Sequence, residues 1–286
     1  MEYYRRLPKF EYLDPKTRDE AIAMLDSRKG EIRILAGGTI VVHQMKERIG
    51  NRPFLMSLKL IKDLDYISFD DKKGLSIGAM ASLQSIADSP VVQEKYSLLA
   101  KACRALGTPQ LRNMGTIGGN LACRFSTAEV VPVLIVLGAE MGVVGSEGNR
   151  TVAVEDLFKE LKNTELLADI RVPLPLTQAK WGYQKFAVRD HYDFATVSAA
   201  TVVNSAAGKC TDVRIALGGV TLATMRAKES EKLLSGKAVT EDLIAQATQL
   251  ASESGQMRSD VYFTADYKKD LLRVVVQRAL KDALGA

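Results

Sequence analysis

The segment Thr108-Pro-Gln-Leu-Arg-Asn-Met-Gly-Thr-Ile-Gly-Gly-Asn-Leu121 places Gly115, Gly118 and Gly119 close together, beside Thr116 and Asn120. Glycine permits positive φ and carries no Cβ, so a ligand can press directly against main-chain N–H groups. Several N–H groups turned one way form a concave site for an anion, above all a phosphate or pyrophosphate. A Gly-Gly pair alone is more often an ordinary tight turn. The segment therefore has to be read with a second one far upstream.

That second stretch starts at Ile32-Arg-Ile-Leu-Ala36, a short β-branched run that predicts a buried strand. It runs straight into Gly37-Gly38-Thr39, after which Val41, Val42, Met45 and Ile49 recur at helical spacing. Strand, Gly-Gly, helix start suits a phosphate as well as it suits a plain β–α turn. Rival signatures are absent: there is no G-x-G-x-x-G, and neither Gly208-Lys209 nor Gly236-Lys237 is followed by Ser or Thr. Two Gly-Gly elements remain as phosphate candidates.

Composition narrows the chemistry. With 286 residues, 47% hydrophobic and 26% charged, the chain reads as a soluble globular protein of about two domains, or one large one. Its 39 basic and 34 acidic residues are scattered, which argues against a nucleic-acid stripe. Cys103, Cys123 and Cys210 stand far apart without a C-x-x-C, so neither a disulfide framework nor a four-thiolate iron–sulfur site is available. The two histidines, His43 and His191, cannot build a metal centre, so redox chemistry would need an organic cofactor. No Ser/His/Asp or Cys/His constellation and no paired carboxylates point to catalytic side chains. The start of the chain has no apolar leader and no 18-residue apolar run follows, so a cytoplasmic protein without a membrane span is expected.

In chain order, Thr17-Arg-Asp-Glu20 is a capping box that opens a helix closing near Gly30. Hairpins are expected around Asp70–Gly74 and around Gly145–Asn149, and helices over 82–87, 96–106 (with Gly107 as its left-handed cap) and 128–137. A strand over 165–172 ends at Pro173-Leu-Pro175. Strands over 181–188, 196–204 and 210–217 then precede helices over 227–234, 240–252 and 267–284. Pro53 and the 173–175 prolines mark boundaries, giving 1–54, 55–175 and 176–286, in an α+β arrangement.

Ala36-Gly-Gly-Thr39 paired with Thr116-Ile-Gly-Gly-Asn120 resembles the FAD-binding subunit of molybdenum hydroxylases, the class of xanthine dehydrogenase and carbon monoxide dehydrogenase. The resemblance covers essentially the whole chain. It takes in Pro109-Gln-Leu-Arg-Asn113, Glu165-Leu-Leu-Ala-Asp-Ile-Arg-Val-Pro173, Lys185-Phe-Ala-Val-Arg189 with Asp193, and a late Tyr267. It implies two α+β subdomains of the vanillyl-alcohol-oxidase type holding FAD between them. A C-terminal α+β domain of small antiparallel sheet and helices would follow.

By that resemblance, Ile34, Leu35, Ala36, Gly37, Gly38, Thr39, Ile40 and Val41 would wrap the FAD pyrophosphate together with Thr116, Ile117, Gly118, Gly119 and Asn120. Leu106 and Leu167 stand at apolar contacts to the cofactor, with a plain core leucine as the alternative for each. Lys185 matches a lysine near the flavin, where a cation would tune the cofactor. Glu129 stands where relatives carry Asp, so the carboxylate is kept but longer. Asp193-Phe194 falls in the loop that approaches the flavin ring. One branch of the family carries an extra cysteine-rich segment for an iron–sulfur cluster; the compact stretch 119–148 has only Cys123, so no cluster is expected in this chain.

The implied partners are a large molybdenum-cofactor subunit and a small subunit with two 2Fe–2S clusters, in a heterotrimer able to pair with a second. Electrons would pass from the clusters through FAD to NAD⁺, a quinone or O₂. Two other readings stand beside this one. The first is a free-standing flavin-dependent oxidase or reductase of the same fold. The second is a nucleotide-binding scaffold without redox activity.

Overall fold

Three sheets succeed one another along the chain in the computed structural model, which describes residues 6–189, 192–220 and 223–285. The first is parallel, with β1 (Glu11–Leu13) and β2 (Ile32–Leu35) on either side of β3 (Phe54–Ser57). β1 and β3 are too short to give a periodic signal. Pro53, read from the sequence as a boundary, stands directly before β3, a position that proline tolerates. The first sheet therefore extends to Ser57, and a division at 54/55 would fall inside β3.

The second sheet contains β4 (Ile67–Asp70), β5 (Gly74–Gly78), β6 (Glu140–Gly145), β7 (Gly148–Ala153) and β8 (Leu166–Val172), in the order β4-β5-β8-β6-β7 with antiparallel pairs throughout. Both expected hairpins are here. Helices Leu83–Asp88, Ser97–Arg104 and Val130–Val136 enter its core, the last one buried along its whole length with Pro132 in its first turn. The glycine-rich stretch folds differently from a simple loop. It forms two short helices, Pro109–Met114 and Ile117–Ala122, whose N-caps Thr108 and Thr116 accept from the N–H of Leu111 and Gly119.

The third sheet is antiparallel, running β9 (Lys180–Phe186), β10 (Val197–Ala206), β11 (Lys209–Gly218) and β12 (Met225–Arg226). The 20-residue helix Ala265–Leu284 lies tightly on it: a Cβ on Gly182 would meet the Ala279 carbonyl oxygen at 1.9 Å. Tyr183, Ala200, Val202 and Ala216 of this sheet share one core with Leu98, Leu99 and Val133, so the C-terminal part is fused to the second sheet. Trp181 Nε1 adds a hydrogen bond to Ser97 Oγ at 3.0 Å. Among the described residues no helix is long and apolar enough to cross a membrane.

One loop of this domain is fastened by charge. Asp260 accepts from the N–H groups of Tyr262 and Phe263 and from Lys268 Nζ, itself 9% exposed, which also donates to the Arg258 carbonyl. Lys268 and the two N–H groups hold the Asp260 carboxyl down at about 2, against 3.8 unperturbed. A depressed carboxyl stabilises the fold above its unfolded value and loses that contribution as pH falls through the folded one. Asp260→Asn should therefore lower the melting temperature at pH 7, with the gap to wild type closing between about pH 4 and 2. Thermal unfolding across that range checks this, and a gap that persists at pH 2 would contradict it.

Candidate functional site

The two Gly-Gly segments meet. A Cβ on Gly37 would stand 1.9 Å from the Met114 carbonyl oxygen, and on Gly118 2.6 Å from both Cβ and O of Ala79. Distances of that size are impossible for any side chain, so these two glycines are required by backbone packing before any ligand is considered. Gly38 differs: a Cβ there would meet only side-chain atoms, Leu35 Cδ1 at 3.3 Å and Val42 Cγ2 at 3.4 Å, but its φ of +78° is one that glycine alone adopts without strain.

Hydrogen-bond accounting separates the two segments further. In the second, Ile117 N donates to Ala81 O (3.0 Å), Gly118 N to Ala79 O (2.9 Å), Gly119 N to Thr116 Oγ1 (3.1 Å) and Asn120 N to Thr116 O (2.9 Å). All four donors are thus spent inside the fold. In the first, the N–H groups of Gly37, Gly38, Thr39 and Ile40 have no acceptor among the described residues. These residues are half-buried at the cleft, so the donors are open to a ligand or to solvent. The second segment keeps a different free group: Asn120 Oδ1 is buried without a donor.

Both segments line a cleft of about 700 Å³ between the first and second sheets. Of the residues singled out from the sequence, Ile34, Ala36, Gly37, Gly38, Thr39, Ile40, Val41, Leu106, Thr116, Gly118, Gly119, Asn120, Glu129 and Leu167 line it. Three do not. Ile117 is fully buried in the core, and Leu35 packs its Cδ1 beneath Gly38. Lys185 sits behind Glu129, donating to Glu129 Oε1 at 2.8 Å, Ala105 O at 3.1 Å and Asp193 O at 2.6 Å. Its three ammonium donors are all taken, so the cation reaches the cleft through Glu129. Burial pushes the Glu129 carboxyl up, and Lys185 opposes that rise.

The charges missed by sequence reading are arginines. Arg33, Arg52 and Arg124 line the cleft, and none has a carboxylate within ion-pair distance among the described residues. Arg33 donates instead to the carbonyls of Ile49 and Gly50 and to Gln44 Oε1, and Arg124 to the Leu161 carbonyl. Burial and neighbouring Arg52 lower the Arg33 guanidinium. The acids of the lining are already matched by bases outside it: Glu129 by Lys185, Glu165 by Arg150 and Asp193 by Arg189. The unmatched charge in the cleft is positive. No pattern in the sequence signals this, because it depends on which acids find partners elsewhere.

The thiols are quiet. Burial raises Cys103 to about 12 and also raises Cys123, whose Sγ donates to Asn120 O. Among the described residues no group of His, Cys, Asp and Glu could hold a metal; His191 lies outside them.

Comparison with known proteins identifies the family. The family described as the FAD binding domain in molybdopterin dehydrogenase matches residues 8–175, and the CO dehydrogenase flavoprotein C-terminal domain matches residues 182–283. The chain belongs to this flavoprotein family. It is 32% identical to the carbon monoxide dehydrogenase medium chain of Hydrogenophaga pseudoflava, over 96% of this chain and 97% of that one. It is 30% identical to the nicotine 6-hydroxylase medium subunit of Paenarthrobacter nicotinovorans, over 97% and 98%. Among solved structures, carbon monoxide dehydrogenase from Hydrogenophaga pseudoflava superposes with a TM-score of 0.94 at 32% identity, covering 98% of this chain and 99% of that one. Quinoline 2-oxidoreductase from Pseudomonas putida 86 gives 0.90 at 31% identity, with the same coverage. This member is thus an oxidoreductase subunit with FAD as its cofactor.

The cleft fits FAD on its own chemistry. It offers four unpartnered N–H groups and surplus arginine charge for a pyrophosphate, an unpartnered acceptor for a hydroxyl, and apolar walls for rings. The Lys185–Glu129 pair gives a direct test of the wall. With both side chains buried, Lys185→Met strands a carboxylate, a change that typically costs about 3–5 kcal/mol, whereas pairing it with Glu129→Gln should recover most of the loss. Urea unfolding of wild type, the single variant and the double variant measures both, and a single mutant as stable as wild type would refute the pair's role.

Proposed function

We propose that Gly37–Ile40 hold the FAD pyrophosphate through their free N–H groups, assisted by the unmatched arginines, and that Asn120 Oδ1 accepts from a hydroxyl of the cofactor. Leu106 and Leu167 would flank its rings, and Glu129, fixed by Lys185, would face it from the C-terminal side. The observation carrying this reading is the contrast between four spent donors in one glycine segment and four free ones in the other. FAD supplies two-electron acceptance with onward transfer in single steps. The side chains here bind and orient it, and no acid, base or nucleophile of this chain is needed.

In the cell the chain would serve as the electron-transfer subunit of a cytoplasmic molybdenum hydroxylase. A large subunit with the molybdenum cofactor and a small subunit with 2Fe–2S clusters would complete it, and NAD⁺, a quinone or O₂ would take the electrons. Relatives of similar length carry names as different as carbon monoxide, glyceraldehyde and caffeine dehydrogenase. That supports placing substrate choice in the molybdenum subunit. Gly38→Val should leave the chain soluble and cost it most of its FAD, because a branched residue is strained at φ +78°. The ratio of flavin to protein absorbance after purification reads this out. Full flavin content in the variant would remove the first glycine segment from the site.

A further inference from the structure

Four consecutive carbonyl oxygens, from Arg104 to Gly107, each accept from a cationic side chain. Lys185 serves Ala105 at 3.1 Å; Arg112 Nη1 faces Gly107 at 2.9 Å and Leu106 and Arg104 at 3.2 Å each. Arg112 Nε donates to Gln84 Oε1 at 2.8 Å. No carboxylate lies within ion-pair distance of Arg112 among the described residues. Its charge is met by carbonyl dipoles just beyond the C-terminal end of helix Ser97–Arg104, where the helix itself favours a cation.

Each segment that Arg112 joins contributes to the cleft wall. Leu83 precedes Gln84, Leu106 and Gly107 lie in the gripped turn, and Leu111 shares the helix of Arg112. Gly107 takes a left-handed φ of +50° at the end of the turn, and its carbonyl is one of those that Arg112 holds. A guanidinium is the group for this task, because its rigid fan of five donors reaches Gln84 and three carbonyls at once. An ammonium with three donors on a flexible stem does not.

We propose that Arg112 is a positioning residue for the flavin, acting through the 104–107 turn that it and Lys185 grip together. The proposal rests on FAD occupying the cleft. It goes beyond that reading by assigning alignment of the cofactor to a side chain that does not line the cleft.

The test compares wild type, Arg112→Lys and Arg112→Gln as full-length chains. FAD dissociation constants are measured after deflavination, with visible circular dichroism of the bound flavin and thermal unfolding of the deflavinated proteins. Affinity should fall in the order wild type, Lys, Gln, by roughly tenfold or more for Gln, the scale of one lost charge-assisted hydrogen bond. The flavin dichroism should change in both variants, a signature that general destabilisation does not produce. Affinity within twofold of wild type would overturn the proposal. So would affinity lost only in step with thermal stability, with the dichroism unchanged. Should Gln prevent folding, the Lys variant alone decides by the same two readings. Wild type failing to bind FAD would instead overturn the cofactor reading, and the proposal with it.

Discussion

The contact between Gly37 and the Met114 carbonyl governs this structure, because it brings the end of β2 against the segment leading into helix Ile117–Ala122. At 1.9 Å from a hypothetical Cβ there is no latitude for another residue. Once the two backbones touch, the second segment satisfies two of its donors against Ala79 and Ala81, just after β5, and two against Thr116. The first, left on the open side, finds no acceptor for its N–H groups among the described residues. That asymmetry leaves one glycine segment with its donors spent on packing and the other with donors free on the cleft side. The positive surplus of Arg33, Arg52 and Arg124 then favours an anion in the same cleft.

Much of the architecture was legible in the residues. The capping box at Thr17, the hairpin signals around Asp70–Gly74 and Gly145–Asn149 and the strand-then-helix order of the last third all correspond to elements of the fold. The recurrence of Gly-Gly, first after a strand and again after Met114, pointed to the cleft. Three-residue β1 was not legible, since a strand that short has no period to detect. Pro53 was ambiguous for a definite reason: proline before a strand and proline between subdomains look alike in sequence.

The division of work within the site was hidden for a different reason. Two of the spent N–H groups depend on carbonyls at Ala79 and Ala81, distant in the chain, which no local pattern signals. Lys185 shows the same limit. Sequence placed a cation beside the flavin, whereas the fold encloses it behind Glu129 with three acceptors, so its influence reaches the cleft by way of a carboxylate. Arg112 stood within a recognised motif, yet its hold on Gln84 and on carbonyls 104–107 becomes visible only when helices Leu83–Asp88 and Pro109–Met114 are side by side.

Amide hydrogen exchange, resolved to single residues, tests the asymmetry most directly. In the deflavinated chain the amides of Gly37–Ile40 should exchange quickly, and those of Ile117–Asn120 slowly. Adding FAD should protect the first group strongly and leave the second nearly unchanged. Protection appearing at Ile117–Asn120, with Gly37–Ile40 still exchanging freely, would contradict the account.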